Sequence, residues 1–192
     1  MKKTFFTTAN IAAMGALTAI VVVLTLFSNY ITIGPVNITL ALIPIVVGAL
    51  IYGPLAGGFL GLVNGAMVLT APSTISVFFP INAWATVLVC LVKTTVAGLV
   101  AGLIFLPFKK KNSHILLGSI LASISVPLIN TSLFGVGFLL FFHSMSGDQN
   151  SFEFLIITVI GWNFFIEFAV NSILSPTVYR IYQAVNNRYF GE

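Results

Sequence analysis

The sequence NITLALIPIVVGALIYGPLAGGFLGLVNGAMVL, residues 37–69, decides how this chain folds, because it contains two apolar runs and no charged residue. Gly53 and Pro54 separate the two runs, and this pair of residues is typical of a turn. We therefore predict two helices, at about 38–52 and 55–70. At 1.5 Å per residue, each would span about 23 Å, slightly less than the hydrocarbon core of a standard bilayer.

A stripe of glycines follows the turn. Gly57, Gly61 and Gly65 recur every four residues and share one face of the second helix. Such a face lets the backbone of a neighbouring helix approach closely, and we favour this packing role for the glycines. Asn64 stands beside the face, and a polar side chain within a membrane helix indicates a ligand-binding role as the alternative.

The composition excludes a soluble globular protein, because 58% of the 192 residues are hydrophobic, 6% are charged and the mean hydropathy is +1.10. We predict an all-α membrane protein with six transmembrane helices in a single domain, residues 1–192. Such a chain has no room for a soluble ATPase domain, and its single cysteine, Cys90, builds neither a disulfide framework nor a metal cluster. We expect no cofactor, no bound metal and no nucleic-acid partner. The predicted helices are at about 8–28, 38–52, 55–70, 81–105, 115–142 and 152–182.

The basic residues predict the orientation in the membrane. In a six-span arrangement, the loops on one side carry only Asp148 and Glu153 near helix ends, whereas Lys and Arg gather on the other side. Because cytoplasmic loops carry the excess of Lys and Arg, both termini are predicted to be cytoplasmic. The basic residues on that side are Lys2, Lys3, Lys109, Lys110, Lys111, Arg180 and Arg188.

Two ionisable residues, Lys93 in the fourth helix and Glu167 in the sixth, lie inside the predicted membrane region at matching depth. A buried charge costs several kcal/mol unless it is paired. Two interpretations therefore stay open. Either Lys93 and Glu167 form an ion pair that ties the two helices together, or one of them meets a charge on a ligand.

Amide, hydroxyl and indole groups cluster in the outer half of the predicted bundle, where we predict a polar cavity. Amides offer donors and acceptors without a standing charge, which suits a small polar molecule with hydroxyls and an amide. The tryptophans have an alternative role as interfacial anchors. The residues concerned are Asn64, Asn82, Trp84, Thr86, Asn130, Trp162 and Asn163.

Small residues also line one face of the first helix, at Ala12, Gly15, Ala16 and Ala19, and such a face favours a partner helix. No set of residues typical of an intramembrane enzyme is found, such as a serine nucleophile facing a histidine. There is neither a selectivity-filter motif nor the internal repeat of a self-sufficient transporter. We predict a protein that is not an enzyme.

Four stretches together resemble a known family: residues 39–65 of the opening sequence, the Ala12-x-x-x-Ala16 step, KTTVAGLVAG at 93–102 and NFFIEFAVNSILSPTVYRIY at 163–182. The chain is similar over nearly its whole length to the substrate-binding S components of energy-coupling factor (ECF) vitamin transporters of Gram-positive bacteria. The resemblance implies a multi-pass protein of the bacterial plasma membrane that binds a vitamin near the outer surface. Its partners would be a transmembrane coupling subunit and two cytosolic ATPases.

The resemblance also implies roles for particular residues. Ala12 and Ala16, together with Gly15 and Ala19 on the same face, would dock on the coupling subunit. The segment Asn29–Asn37, hereafter the lid, would cover the vitamin and bring Asn37 to it. Transport would involve toppling of the whole protein within the membrane.

The identity of the vitamin stays open at this point. Pantothenate has a carboxylate, an amide and two hydroxyls, which suit Lys93 and the asparagines, and we favour it. Hydroxymethylpyrimidine, pyridoxine or riboflavin would instead stack its ring on Phe79, Trp84 or Trp162. A membrane scaffold whose small-residue faces only pack helices is the alternative from another class.

Overall fold

The helices of the computed structural model follow the apolar runs of the sequence. The structure describes residues 8–33, 36–111, 113–142, 144 and 161–189, and its helices confirm an all-α architecture. An antiparallel pair of two-residue strands, β1 (Thr32–Ile33) and β2 (Val36–Asn37), lies in the lid, and a π-helical segment (Thr74–Phe78) precedes the fourth helix. The helices are α1 (Thr8–Ser28), α2 (Leu42–Tyr52), α3 (Pro54–Val68), α4 (Ala83–Lys111), α5 (Ile115–Phe141) and α6 (Gly161–Tyr189).

Helix α2 is the centre of the bundle. Leu42, Ile45, Val46 and Leu50 have no exposed surface, and α2 packs against α1, α3, α4, α5 and α6. The turn that follows depends on Gly53, whose φ of 96° lies in the left-handed region that favours glycine. Proline is well suited to the first position of a helix, where α3 begins. The predicted turn between two apolar helices is confirmed.

The glycine stripe of α3 packs directly on the backbone of α4. A Cβ atom added to Gly61 would collide with the carbonyl oxygen of Thr94, and one added to Gly65 with that of Cys90. Gly57 is in similarly close contact with α4. A carbonyl oxygen within a helix cannot move aside, so these positions accept no side chain. The packing role predicted for the stripe is therefore confirmed.

Helix α4 extends beyond its predicted end, because it continues through Pro107 to Lys111. Pro107 lies inside the helix and removes one of its backbone hydrogen bonds, but α4 continues past it and brings Lys109 to the end of α2. The ammonium of Lys109 donates to the carbonyl oxygens of Leu50, over 3.2 Å, and Ile51, over 2.8 Å. A cation is favourable at a helix C-terminus, so Lys109 caps α2.

The C-terminal parts of α2, α4 and α6 meet at one end of the bundle, where the Lys109 ammonium also lies 5.8 Å from the centre of the Tyr182 ring. We call this the basic end. The lid and the connection between α3 and α4 lie at the opposite end.

Three helices in the described part of the chain are long and apolar enough to cross a membrane: α1, α4 and α5. Helices α2 and α3 are apolar but shorter. The predicted start of the sixth helix, at 152, lies outside the described residues. The count of six spans and the cytoplasmic position of the termini remain predictions.

Candidate functional site

A cavity of about 40 Å³ lies at the end of the bundle opposite the basic end. Its wall comes from the end of α1, the lid and the residues after it, the π-helical segment, the first half of α4 and the last half of α5. The volume suits only a few water molecules. A larger ligand would therefore require part of the wall to move outward. The lining residues are Thr25, Ser28, Asn29, Asn37, Ile38, Thr39, Val68, Ser73, Thr74, Phe78, Thr86, Val89, Cys90, Lys93, Phe134 and Phe142.

Lys93 brings a positive charge to this cavity. Its side chain is 7% exposed, and its ammonium lies 4.9 Å from the centre of the Phe134 ring. No hydrogen bond or ion pair with any described residue involves this ammonium. A cation over an aromatic face gains about 0.5–2 kcal/mol, which offsets only part of the cost of burying a charge. The cavity is therefore electrostatically suited to an anion.

Glu167 lies behind the cavity wall and does not pair with Lys93. Its carboxylate accepts a hydrogen bond of 2.7 Å from the backbone N–H of Thr39 and lies close to the side chains of Thr39 and Asn130. Lys93 acts on it only as a more distant charge. The ion pair that was one interpretation of the sequence is thus absent from the described residues. Thr39 separates the carboxylate from the cavity.

Glu167 belongs to a buried polar face of α6. Asn163, Glu167, Asn171 and Ser175 follow one another at four-residue intervals, and all four are buried. The side-chain amide of Asn171 donates to the backbone carbonyl of Glu167 over 2.8 Å. This face points into the bundle, but none of its residues lines the cavity. Trp162 lies in the first turn of α6, and its side chain is outside the described part of the structure.

Four asparagines have an amide atom without a hydrogen-bond partner among the described residues. Asn29 Oδ1 and Asn37 Nδ2 belong to residues of the cavity wall, whereas Asn64 Nδ2 and Asn130 Oδ1 belong to residues that do not line the cavity. Asn64 is fully buried behind Thr25, whose hydroxyl hydrogen-bonds to Asn64 Oδ1 over 2.7 Å. A buried polar atom without a partner costs about 1–3 kcal/mol. The amides of Asn29 and Asn37, which line the cavity, can therefore hydrogen-bond to a ligand that offers both donors and acceptors.

An aromatic cluster forms another part of the wall. The ring of Phe78 meets those of Phe134 and Phe142 edge to face, with centroids 5.9 and 5.3 Å apart. The sequence had indicated Phe79, which is half-buried and does not line the cavity. The π-helical segment explains this difference. A hydrogen bond from Phe79 N–H to the Thr74 carbonyl closes a π turn. Such a turn contains one residue more than an α-helical turn, so a different side chain points inward.

Two predicted residues lie away from the cavity. Asn82 is exposed and its side-chain oxygen accepts the backbone N–H of Ala85 over 3.1 Å, so it caps the start of α4. Trp84 is 86% exposed on the outer surface, a position typical of a tryptophan at a membrane interface. Asn130 is buried on α5 and reaches the cavity only through Glu167 and Thr39.

Sequence reasoning missed the contribution of α1 and of the π-helical segment. Ser28 ends the apolar helix α1 and Asn29 begins the lid, and this placement of two adjacent polar residues is a signal that would have assigned them to the cavity wall. Phe134 follows Asn130 by four residues and therefore shares its helix face. Cys90 precedes Lys93 by three residues and likewise shares its face.

The small-residue face of α1 is uncovered. Ala12, Gly15, Ala16 and Ala19 are all exposed, and a Cβ atom added to Gly15 would have no atom within 4 Å. Helix α1 packs on α2 and α3 through its other side. The small residues of this face therefore play no part in packing the described bundle.

Comparison with known proteins gives one family. The model of the family described as ECF transporter, substrate-specific component, matches residues 9–179, which is most of the chain. None of the curated proteins compared with the chain matches it.

Proposed function

Since this chain belongs to the family of substrate-specific components of ECF transporters, we propose that it captures a small water-soluble vitamin in the cavity beside the lid. The protein is a transporter subunit and not an enzyme. Delivery of the vitamin would depend on association with a transmembrane coupling subunit and two cytosolic ATPases.

The observation that carries this proposal is the buried ammonium of Lys93, which has an aromatic ring beside it but neither a hydrogen bond nor an ion pair with a described residue. A ligand carboxylate placed against Lys93 would neutralise this charge within the cavity wall. Hydrogen bonds between charged partners are about twice as strong as those between neutral ones. The ligand is therefore best assigned to the acidic vitamins.

Pantothenate is the acidic vitamin that we favour. Its carboxylate suits Lys93, and its amide and two hydroxyls suit the atoms of Asn29 and Asn37 that have no partner among the described residues. The wall around them is also narrow, with a cavity of only about 40 Å³, which favours a slender ligand over one with several fused rings.

A second candidate is a vitamin with a single ring, either hydroxymethylpyrimidine or pyridoxine. The cluster of Phe78, Phe134 and Phe142 in the wall favours it, since aromatic faces and edges bind flat rings. Riboflavin would use the same cluster but needs a larger opening of the wall. These ligands leave Lys93 without a partner, unless they carry a phosphate or another acidic group.

The basic end supports a proposal for the position in the cell. The residues there include Lys109, Lys110 and Lys111, and we place this end in the cytoplasm of a bacterium, with the protein crossing the plasma membrane six times. The cavity then faces the exterior, where the vitamin is captured. The exposed face formed by Ala12, Gly15, Ala16 and Ala19 would dock on the coupling subunit, because small residues let another helix approach closely.

The experiment is a binding panel on the purified protein in detergent. Small molecules released on denaturation are identified by mass spectrometry, and calorimetry then compares pantothenate, its alcohol analogue, pyridoxine, hydroxymethylpyrimidine, riboflavin and thiamine. We expect saturable binding of pantothenate and binding at least 10-fold weaker for the alcohol, which lacks the carboxylate. Saturable binding of pyridoxine or hydroxymethylpyrimidine alone would support the second candidate. Absence of binding by every vitamin, also after assembly with the coupling partners, would contradict the proposal and favour a scaffold.

A further inference from the structure

Glu167 is a buried carboxylate of α6 that contacts Thr39 in the cavity wall and Asn130 in α5. It accepts the backbone N–H of Thr39 over 2.7 Å and interacts with the side chains of Thr39 and Asn130. Thr39 lines the cavity and Glu167 does not. The carboxylate therefore acts on the cavity through Thr39 and has no direct access to a ligand there.

Thr39 belongs to residues 38–40, which directly follow the lid and which we call the lid base. The lid base donates three backbone hydrogen bonds. Ile38 N–H donates to the Ile31 carbonyl of the lid over 3.2 Å, Thr39 N–H to Glu167 of α6 over 2.7 Å, and Leu40 N–H to the hydroxyl of Ser28 in α1 over 3.1 Å. The end of the lid is held at a fourth place, where the Ser73 hydroxyl donates to Asn37 Oδ1 over 2.6 Å. Of these contacts, the one to Glu167 has a carboxylate acceptor, and hydrogen bonds to an ionised carboxylate are the strongest kind among them.

We infer that Glu167 is a positioning residue that keeps the lid base closed over the cavity, and that admission of a ligand requires Thr39 to leave its carboxylate. The cavity holds only a few water molecules, so some part of its wall must move to admit a vitamin. The lid base is a short connection held by three separate hydrogen bonds, whereas the other walls are helices packed over most of their length. The inference rests on the proposed function for the identity of the ligand, but its test needs no ligand.

Cys90 provides the readout, because it is the single cysteine of the chain, lines the cavity and is 6% exposed. The experiment measures the rate at which the uncharged thiol reagent N-ethylmaleimide alkylates Cys90 in the purified full-length protein. The main variant is Glu167→Asp, which keeps the charge near Cys90 but withdraws the carboxylate from Thr39. The matched control is Ser175→Ala, a substitution two turns further along the same buried face of α6.

We expect Glu167→Asp to be alkylated about 5- to 20-fold faster than the wild type, while Ser175→Ala is alkylated at the wild-type rate. Both proteins should keep the wild-type elution volume in gel filtration. A wild-type rate for folded Glu167→Asp would overturn the inference. An equal acceleration in Ser175→Ala would overturn it too, because the effect would then be general loosening of α6.

A second variant keeps the inference testable if Glu167→Asp does not fold. Thr39→Val removes the hydroxyl contact to the carboxylate and leaves the backbone N–H in place, so we expect an acceleration of about 2- to 3-fold. A wild-type rate here would overturn the inference. Failure of the proposed function has a different signature: no vitamin slows alkylation of wild-type Cys90, although Glu167→Asp still accelerates it.

Discussion

Replacing Lys93 by methionine should weaken ligand binding and at the same time stabilise the empty protein. Methionine is unbranched, has a similar length and fills irregular spaces well, so the substitution removes the charge with little change of volume. The two effects have opposite signs because the ammonium is buried without a hydrogen-bonded anion among the described residues, and Glu167 acts on it only from a greater distance. A lysine that only packs the bundle would lose stability on this substitution.

The magnitudes follow from the surroundings of the ammonium. A hydrogen bond to a charged group contributes about 1.5–3 kcal/mol, which corresponds to roughly a 10- to 150-fold loss of affinity for an acidic ligand. Without a ligand, burial of the charge costs several kcal/mol, and the Phe134 ring returns about 0.5–2 kcal/mol of this. The cavity has room for a few water molecules, whose hydrogen bonds would lower the cost further. We therefore expect a net gain of about 1 kcal/mol in the free energy of unfolding of Lys93→Met.

The assay pairs thermal unfolding in detergent with calorimetric titration of pantothenate and its alcohol analogue. The control is Val92→Met, which places the same side chain on the outward face of α4, where Val92 is 41% exposed. The control should match the wild type in both measurements. If Lys93→Met still prefers pantothenate over the alcohol, the carboxylate is bound elsewhere and the reasoning is refuted. A Lys93→Met protein less stable than the wild type would refute the electrostatic part.

Four further substitutions test the packing, the docking face, the position of Trp84 and the capping of α2. Gly61→Leu forces a side chain against the Thr94 carbonyl and should lower the free energy of unfolding by about 3 kcal/mol or more. Gly15→Leu places its side chain in open space, so this variant should unfold like the wild type but fail to co-purify with the coupling subunit. Equal unfolding temperatures for the two variants would contradict the close contact between Gly61 and α4. Trp84→Ala should change vitamin affinity less than 2-fold, since the ring is on the outer surface, and a larger loss in calorimetry would return Trp84 to the site. Lys109→Met removes two hydrogen bonds to the end of α2 and should cost about 1–2 kcal/mol in denaturant titration; a wild-type midpoint would show that water replaces them.

The centre of the fold could be predicted from the sequence because two strong signals agree there. The long apolar run of α2 predicts a helix without a charged residue, and Gly53 with Pro54 fixes the turn that returns the chain as α3. The four-residue spacing of Gly57, Gly61 and Gly65 likewise places all three glycines on one face of α3. The end of α4 could not be predicted, because the helix continues past Pro107 into a last turn that Lys109 anchors by tertiary contacts.

The residues of the site could be predicted in part. The sequence does not show which of them line the cavity and which lie behind its wall. Polarity within an apolar run identifies a residue that faces the protein interior, and this holds for Asn64, Lys93, Asn130 and Glu167, which are all buried. Of these, Lys93 lines the cavity and the others lie behind its wall. The sequence does not reveal this difference, since both positions select the same residue types. It also gave no sign of the π turn that exchanges Phe79 for Phe78.

The separation of the two buried charges constrains the ligand more than either charge does by itself. Glu167 already has the donors of Thr39 and Asn130, so it needs no cation, and pairing it with Lys93 would require Thr39 to give up its place in the wall. Lys93 is consequently left as the charge that faces the cavity. A cationic vitamin such as thiamine would meet an ammonium there at close range in a medium of low dielectric constant, which is strongly unfavourable. An anionic ligand meets the same ammonium, and no residue that lines the cavity has a carboxylate that competes for it. The cavity therefore discriminates between vitamins by the sign of their charge, independently of their shape.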